Sequence, residues 1–270
     1  MPSPSCSGAA ARAWLPLAAL FALNAAVASA NAVGHDFGSG LGRPLPSFLR
    51  TCNRHDPNID ECVKEAVELL RPHLAEGVPE LGIPSCEPLI IPEVVVDQGS
   101  GAVTVTSIYR NVRVFGPSKF ELRNIQVDFN KNRVRVKLFL PELSMDSDYY
   151  LQGRILMLPI QGHGHSSGNY SNIEAVATMT GQRVIRDGRE YLDVKEFLVN
   201  FQIGHASVHL GNLFDGDEEL GETMNRFLND NWQSVAREVQ PILEDTIAEL
   251  FKTFANKIYH MYPLDILMPE

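Results

Sequence analysis

Between Val94 and about Leu213, apolar and polar residues alternate almost without interruption. Val103-Thr104-Val105-Thr106, Val112-Arg113-Val114, Ile125-Gln126-Val127-Asp128-Phe129 and Val134-Arg135-Val136-Lys137-Leu138 keep a period of two. So do Tyr191-Leu192-Asp193-Val194 and Phe197-Leu198-Val199-Asn200-Phe201. Successive side chains of a strand point to opposite faces, so each run predicts a strand with one apolar and one polar face, as in an antiparallel sheet covered on one side. Asn130-Lys131-Asn132, Gly181, Asp187-Gly188 and Gly204 punctuate the runs as turns.

The flanks change period. Ile59, Val63, Ala66, Val67, Leu70 and Leu74 share one helical face, with Asp56 or Asn58 as cap, Pro72 near the end, and Gly77 and Pro79 as the stop. After Asp215-Gly216-Asp217 a second apolar stripe runs Leu220, Met224, Phe227, Leu228, Val235, Val239, Ile242, Ile247, Leu250, Phe251, Phe254, Ile258, with a bend expected at Pro241. A long sheet opposite a long helix predicts an α+β fold in one elongated layer, a curved sheet wrapped along a helix. Periodicity alone does not distinguish a filled core from a hollow one.

The first thirty residues read as a secretory signal peptide: Arg12, the apolar run Ala13–Val27, then Ala28-Ser29-Ala30 as a cleavage site. A flexible arm over 31–45 and one domain over 46–270 follow, and no later stretch is apolar for long enough to span a bilayer. The expected product is extracellular. Residues 31–270 carry 22 Lys and Arg against 33 Asp and Glu, a net charge of −11. With no basic block, nucleic acid and anionic membrane surfaces are poor partners. Three cysteines remain there, Cys52, Cys62 and Cys86. They allow one bridge; the short separation favours Cys52–Cys62, and pairing of either with Cys86 stays open. No zinc-site spacing is present.

Residues 161–171, QGHGHSSGNYS, hold a literal G-x-S-x-G with Ser166 at its centre. An esterase would set that serine on a strand-to-helix turn, whereas Ile173, Val176, Thr178 and Thr180 continue as strand, so catalysis is not expected. His163 and His165 would share a strand face, but no carboxylate at matching reach makes a metal site, and they read as solvated turn residues. Asn169-Tyr170-Ser171 is an N-glycosylation sequon.

A series of short motifs runs along the same chain. It begins with Phe48-Leu49 and Cys52, then Asp56-Pro57-Asn58 with Glu61-Cys62, and Gly82-Ile83-Pro84-Ser85. Asn111-Val112 with Val114 and Gly116, Ser147-Asp148-Tyr149 to Gly153, and Leu158-Pro159-Ile160 with Gly162 and Gly164 come next. Asn212-Leu213-Phe214 with Gly216-Asp217 and Leu220-Gly221 then leads to Asn225, Asn229 and Trp232. In that order, from about Pro46 to Glu270, the motifs resemble the insect takeout and haemolymph juvenile-hormone-binding protein family. The resemblance implies a tubular lipid-binding super-roll, a long helix wrapped by a highly curved antiparallel sheet around a tunnel for an elongated apolar ligand. It also implies a bridged Cys52–Cys62 pair, no cofactor, and a role tied to circadian, feeding or chemosensory physiology. The hormone carriers' second bridge has no cysteines here, which places the chain on the takeout side.

In that setting the proline-rich ribbon 82–93 is expected to be an extended strap between the first helix and the sheet. Leu89, Ile90 and Ile91 would face inward, with Cys86 as a small buried hydrophobe. Tunnel-lining candidates are Val63, Val67, Leu70, Phe227, Val235, Phe251 and Phe254 on helices and Phe139, Leu156 and Leu158 on strands. Tyr149, Tyr150 and Tyr170 are candidate polar handles for a ligand's oxygen. The reading is of a carrier for a terpenoid, fatty acid or similar lipid. The alternatives are a protein that binds lipid surfaces and one that engages a cell-surface receptor.

Overall fold

In the computed structural model, which describes residues 44–98 and 101–270, the alternating region is one six-stranded antiparallel sheet. The signal-peptide reading and most of the N-terminal arm lie outside the described residues. Helix α1 (Ile59–Glu76) leads into strands β1 (Leu89–Gln98), β2 (Val103–Phe115), β3 (Glu121–Asp128), β4 (Arg133–Ile155), β5 (Leu158–Arg186) and β6 (Arg189–Leu210). Helices α2 (Glu218–Asp230), α3 (Trp232–Met261) and α4 (Leu264–Leu267) end the chain. The sheet order is β1-β2-β4-β5-β6, with β3 beside the first part of β4.

The sheet is strongly curved, and sequence explains where. Helix α3 lies against β6 and also touches β1 and β2. Those strands stand at opposite ends of the sheet, so the sheet must curl for one helix to reach both. A crease crosses its middle. Pro141 of β4, Asn172 of β5 and Gly204 of β6 fall on one row, between the pairs Leu140↔Ile173 and Glu142↔Ser171 and between Ser171↔His205 and Ile173↔Ile203. Pro141 has no N–H to give the ladder. Asn172 is left-handed, φ +53°. Gly204 is required because a Cβ there would lie 2.7 Å from the Asn172 Cβ. The alternation changes phase at this row: Val134, Val136, Leu138 and Leu140 face inward before it, and Leu143, Met145, Ser147 and Tyr149 after it.

The free edge of β6 is sewn to the helices by side-chain amides. Asn225 and Asn229 of α2 each accept from and donate to one backbone unit, Leu210 and Val208 respectively. Asn256 of α3 does the same for Val194. Between them, Glu244 accepts from the Phe201 N–H and Gln240 donates to its carbonyl. These side chains stand in for a missing seventh strand and satisfy backbone groups that would otherwise be orphaned.

Three expectations change. The last five residues of the proline ribbon, Leu89 to Glu93, belong to strand β1, paired with β2. An edge strand tolerates Pro92, which drops out of the register between Ile91↔Val112 and Glu93↔Arg110. Leu89 is buried, but Ile90 turns outward at 50 % exposure. The C-terminal stripe is two helices rather than one: the Asn231 backbone N–H and side-chain amide both bond the Phe227 carbonyl, ending α2, while Pro241 sits inside α3. His163 and His165 lie within β5, not in a turn, and the expected turns at Gly181 and Gly204 fall inside β5 and β6.

Candidate functional site

The inner face is packed at its ends and open between them. Near α2, Val103, Val105, Tyr149, Leu151, Ile155, Ile160, Leu210, Leu213, Met224 and Leu228 form a buried cluster. At the other end Met179, Leu192 and Val194 pack with Val134, Phe197, Ala255, Tyr259 and Leu264. Along β4, inward residues are only half-buried from Val134 to Met145 and become buried from Ser147 onward. Ala175 and Ala177 of β5 and Val199, Phe201 and Ile203 of β6 are half-buried too. Helix α3, thirty residues long, has Ala248 as its one buried residue. Apolar side chains that face inward and keep accessible surface line space that protein atoms do not fill.

A polar island interrupts this lining near the crease. Ser107 and Tyr109 of β2, Ser147 and Tyr149 of β4, and Ser166 and Tyr170 of β5 all face inward. Tyr109 lies opposite Tyr149 and Ser147 opposite Ser166. The two serine hydroxyls are 2.6 Å apart. The Tyr149 hydroxyl donates to the Gly211 carbonyl at 2.8 Å, tying the sheet to the turn before α2. Burial, and then the neighbouring Tyr109, push the Tyr149 and Tyr170 phenols up to about 12. Burial also raises Tyr109, partly offset by a hydrogen bond with Ser107. Among the described residues the Tyr170 hydroxyl has no protein partner, yet Tyr170 keeps accessible surface. A phenol both desolvated and reachable faces a void. Gly168 makes the room: a Cβ there would stand 2.7 Å from the Tyr170 hydroxyl.

The expected lining residues divide. Phe227 and Val235 pack half-buried against the cluster near α2, beside Tyr109, Val208 and Val239. Leu156 reaches the same cluster from the β4–β5 turn. Phe254 is half-buried under Lys257, and Phe251 is 40 % exposed, stacked on Phe197. Val63 and Val67 are half-buried on α1, which packs on β3. Leu70 fills a solid cluster with Val78, Leu81, Ile83 and Tyr262. Phe139 is a correction: Val134, Val136 and Leu138 take the inward positions, so Phe139 faces outward beneath the Arg123 guanidinium, 5.0 Å from its ring centre. Leu158, at the strand's start, is 42 % exposed, and Tyr150 points outward to Gln152. Tyr109 was missed, although the alternation Val103, Val105, Ser107, Tyr109 places it on the apolar face.

Ser166 is 2 % exposed in mid-strand, its hydroxyl committed to Ser147. The flanking His165 points to the opposite face, 3.7 Å from Asp146. This is not the geometry of a nucleophile elbow. Among the described residues no group of three metal-ligating side chains converges. Asn169 is exposed on the outer face. Cys52 and Cys62 are bonded to each other. Cys86 is a free, half-buried thiol whose pKa burial raises, helped by the charge of Glu87.

At the end of the interior away from α2 a narrow apolar pocket opens between the β3–β4 turn, the β5–β6 hairpin and the C-terminal segment. Val127, Phe129, Val134, Met179, Leu192 and Tyr259 form its walls, and burial raises the Tyr259 phenol. A more polar cleft continues from its rim, and Arg54 and Arg183 line both.

Comparison with known proteins agrees with this architecture. A family model described as haemolymph juvenile hormone binding protein matches residues 22–269. The circadian clock-controlled protein daywake of Drosophila melanogaster is 24% identical over 229 residues, 82% of this chain and 87% of that protein. Daywake of Drosophila yakuba is 23% identical over 241 residues, 86% and 91% of the two chains. The crystal structure of Epiphyas postvittana Takeout 1 superposes with a TM-score of 0.69 at 25% identity, covering 82% of this chain and 99% of that one.

Proposed function

For a chain that belongs to the haemolymph juvenile hormone binding protein family, we propose the role of a secreted carrier that holds an elongated hydrophobic small molecule along the inner face of its curled sheet. One observation carries the reading: inward-facing apolar residues on β4, β5, β6 and α3 keep accessible surface through the middle of the fold. Each ligand methylene moved from water into such space contributes about 0.8 kcal/mol. The Tyr170 hydroxyl, with Tyr109 beside it, gives a neutral oxygen on the ligand a hydrogen-bond donor in a desolvated place. Phe227, Val235 and Val239 would bound the ligand from the helix side.

Residues 1–30 would be removed on export, with 31–45 as an arm and 46–270 as the carrier domain. The sequon at Asn169 would present a glycan on the outer face, clear of the interior; peptide-N-glycosidase should then lower the mass of protein secreted from insect cells. No step in this reading requires catalysis. Organic extraction of the purified secreted protein and mass spectrometry of what co-purifies test it directly. A stoichiometric lipid, absent from Val235→Trp, is the expected result. An empty protein that also refuses long-chain and terpenoid probes sinks the reading.

A further inference from the structure

The charged mouth at the far end says more about the ligand than the neutral tyrosines do. Arg54 and Arg183 both line the apolar end pocket and the cleft outside it. Each guanidinium is aimed by uncharged partners. Arg54 donates through Nε to the Met268 carbonyl at 3.0 Å. Arg183 donates through Nε to Asn132 Oδ1 at 2.9 Å and through Nη2 to the Phe129 carbonyl at 3.2 Å. Each also faces one carboxylate at ion-pair distance, held by an exposed acid that a bound anion could displace. The nearest acids, Glu270 for Arg54 and Glu190 for Arg183, both stand at 3.6 Å, beyond hydrogen-bond distance, with solvent-exposed side chains. The other acid of the rim, Asp128, is turned to Lys131, accepting from its N–H and pairing with its ammonium. Arg133 joins the same lining and has no ion pair among the described residues.

Two guanidiniums with fixed orientation and spare N–H donors, set over apolar walls in a chain of net charge −10, form a place for an anion attached to hydrocarbon. We propose that this mouth binds the anionic head of a long-chain amphiphile, a carboxylate or a phosphate, with its tail entering between the apolar walls of the end pocket. The proposal rests on the carrier reading and adds the head group and the direction of loading. Tyr170 and Arg183 both stand on β5, roughly 40 Å apart along the strand. The charged and neutral polar positions therefore bracket the lining rather than compete for one oxygen.

The test uses the full secreted chain, stripped of lipid, and calorimetric titration with three probes of equal chain length: hexadecanoic acid, hexadecan-1-ol and hexadecyl phosphate. The expected result is that one or both anions bind about tenfold more tightly than the alcohol. The preferred anion identifies the head group. That advantage should shrink in Arg183→Gln and in Arg54→Gln, with alcohol binding unchanged. Arg183 also holds the β3–β4 turn, so a second measurement needs no variant: raising salt on the wild type should weaken the anions and leave the alcohol alone. Equal affinity for all three probes at low and high salt overturns the anionic mouth and leaves the carrier standing. Failure of all three to bind overturns both.

Discussion

The side chain of Asn225 pairs with both backbone groups of Leu210: its Oδ1 accepts from the N–H at 2.8 Å, and its Nδ2 donates to the carbonyl at 2.9 Å. Both residues are buried. Leu210 is the last residue of β6, and the paired amide gives it the partner that another strand would have supplied. Asn225→Leu keeps the branching of the side chain but strands a buried N–H and a buried carbonyl. It should cost about 2–3 kcal/mol in urea denaturation, whereas Thr223→Ala, at an exposed position of the same helix, should change little. Asn225→Leu with unaltered stability would mean the seam is decorative.

Tyr170 and Gly168 make separable contributions to ligand binding. Tyr170→Phe removes the hydroxyl and keeps the ring, so probes with a carbonyl, ester or hydroxyl at that end should weaken by about fivefold to tenfold and plain hydrocarbon probes should not. Gly168→Ala sets a methyl where the Tyr170 hydroxyl end now lies, 2.7 Å from a built Cβ. The ring must swing into the open interior, so both probe classes should weaken together. Competition against a fluorescent fatty-acid analogue measures both. Identical profiles for the two variants would remove Tyr170 from hydrogen bonding.

The pH dependence of stability has a specific contributor in Glu87. Burial works to raise its pKa, but hydrogen bonds from the Gly116 N–H and the Ser118 hydroxyl and N–H, with Lys119 nearby, bring it below its ordinary value of 4.5. A lowered folded-state pKa means that the carboxylate contributes fully above the unfolded value and that the contribution is lost as pH falls through the folded one. Glu87→Gln should therefore be less stable than wild type at pH 7, with the gap closing below about pH 4.5. A gap that stays constant down to pH 3 would exclude Glu87 as its source.

Cys52 and Cys62 close a loop with a sequence separation of 10 at the entry to α1. A bridge over so short a loop contributes about 2–3 kcal/mol, largely through the unfolded chain. The double variant Cys52→Ser, Cys62→Ser should lose that much in thermal unfolding. Reductant should lower the melting temperature of wild type and leave the variant's unchanged.

Much of this architecture was legible because its causes are local. Each period-two run became a strand, and the α1 stripe from Ile59 to Leu74 ended at Gly77 as its stop signals required. That the sheet curves was expected, but not where it creases, since Pro141, Asn172 and Gly204 sit on three strands and form a row only once the register aligns them. Phe139 shows a narrower failure. Its neighbours Val136 and Leu138 already fix the phase that turns Phe139 outward. The amide seam had been visible only as unexplained asparagines at 225 and 229. Their role depends on β6 having no partner beyond it, which sequence spacing does not encode. The arginines of the end pocket were hidden for a similar reason, because Arg54 and Arg183 stand far apart in sequence and share one lining only in the fold.

The seam also bears on how concentrated this protein can become. A long strand with a bare edge invites the same edge of another molecule, and such pairing propagates into fibres. On β6 the backbone groups of Val194, Phe201, Val208 and Leu210 are already engaged by Asn256, Glu244, Gln240, Asn229 and Asn225. A second chain would have to displace these side chains before docking there. At the opposite border, Pro92 interrupts the ladder of β1. With the β6 border occupied and the β1 border interrupted, crowded copies have fewer bare edges on which a sheet could grow.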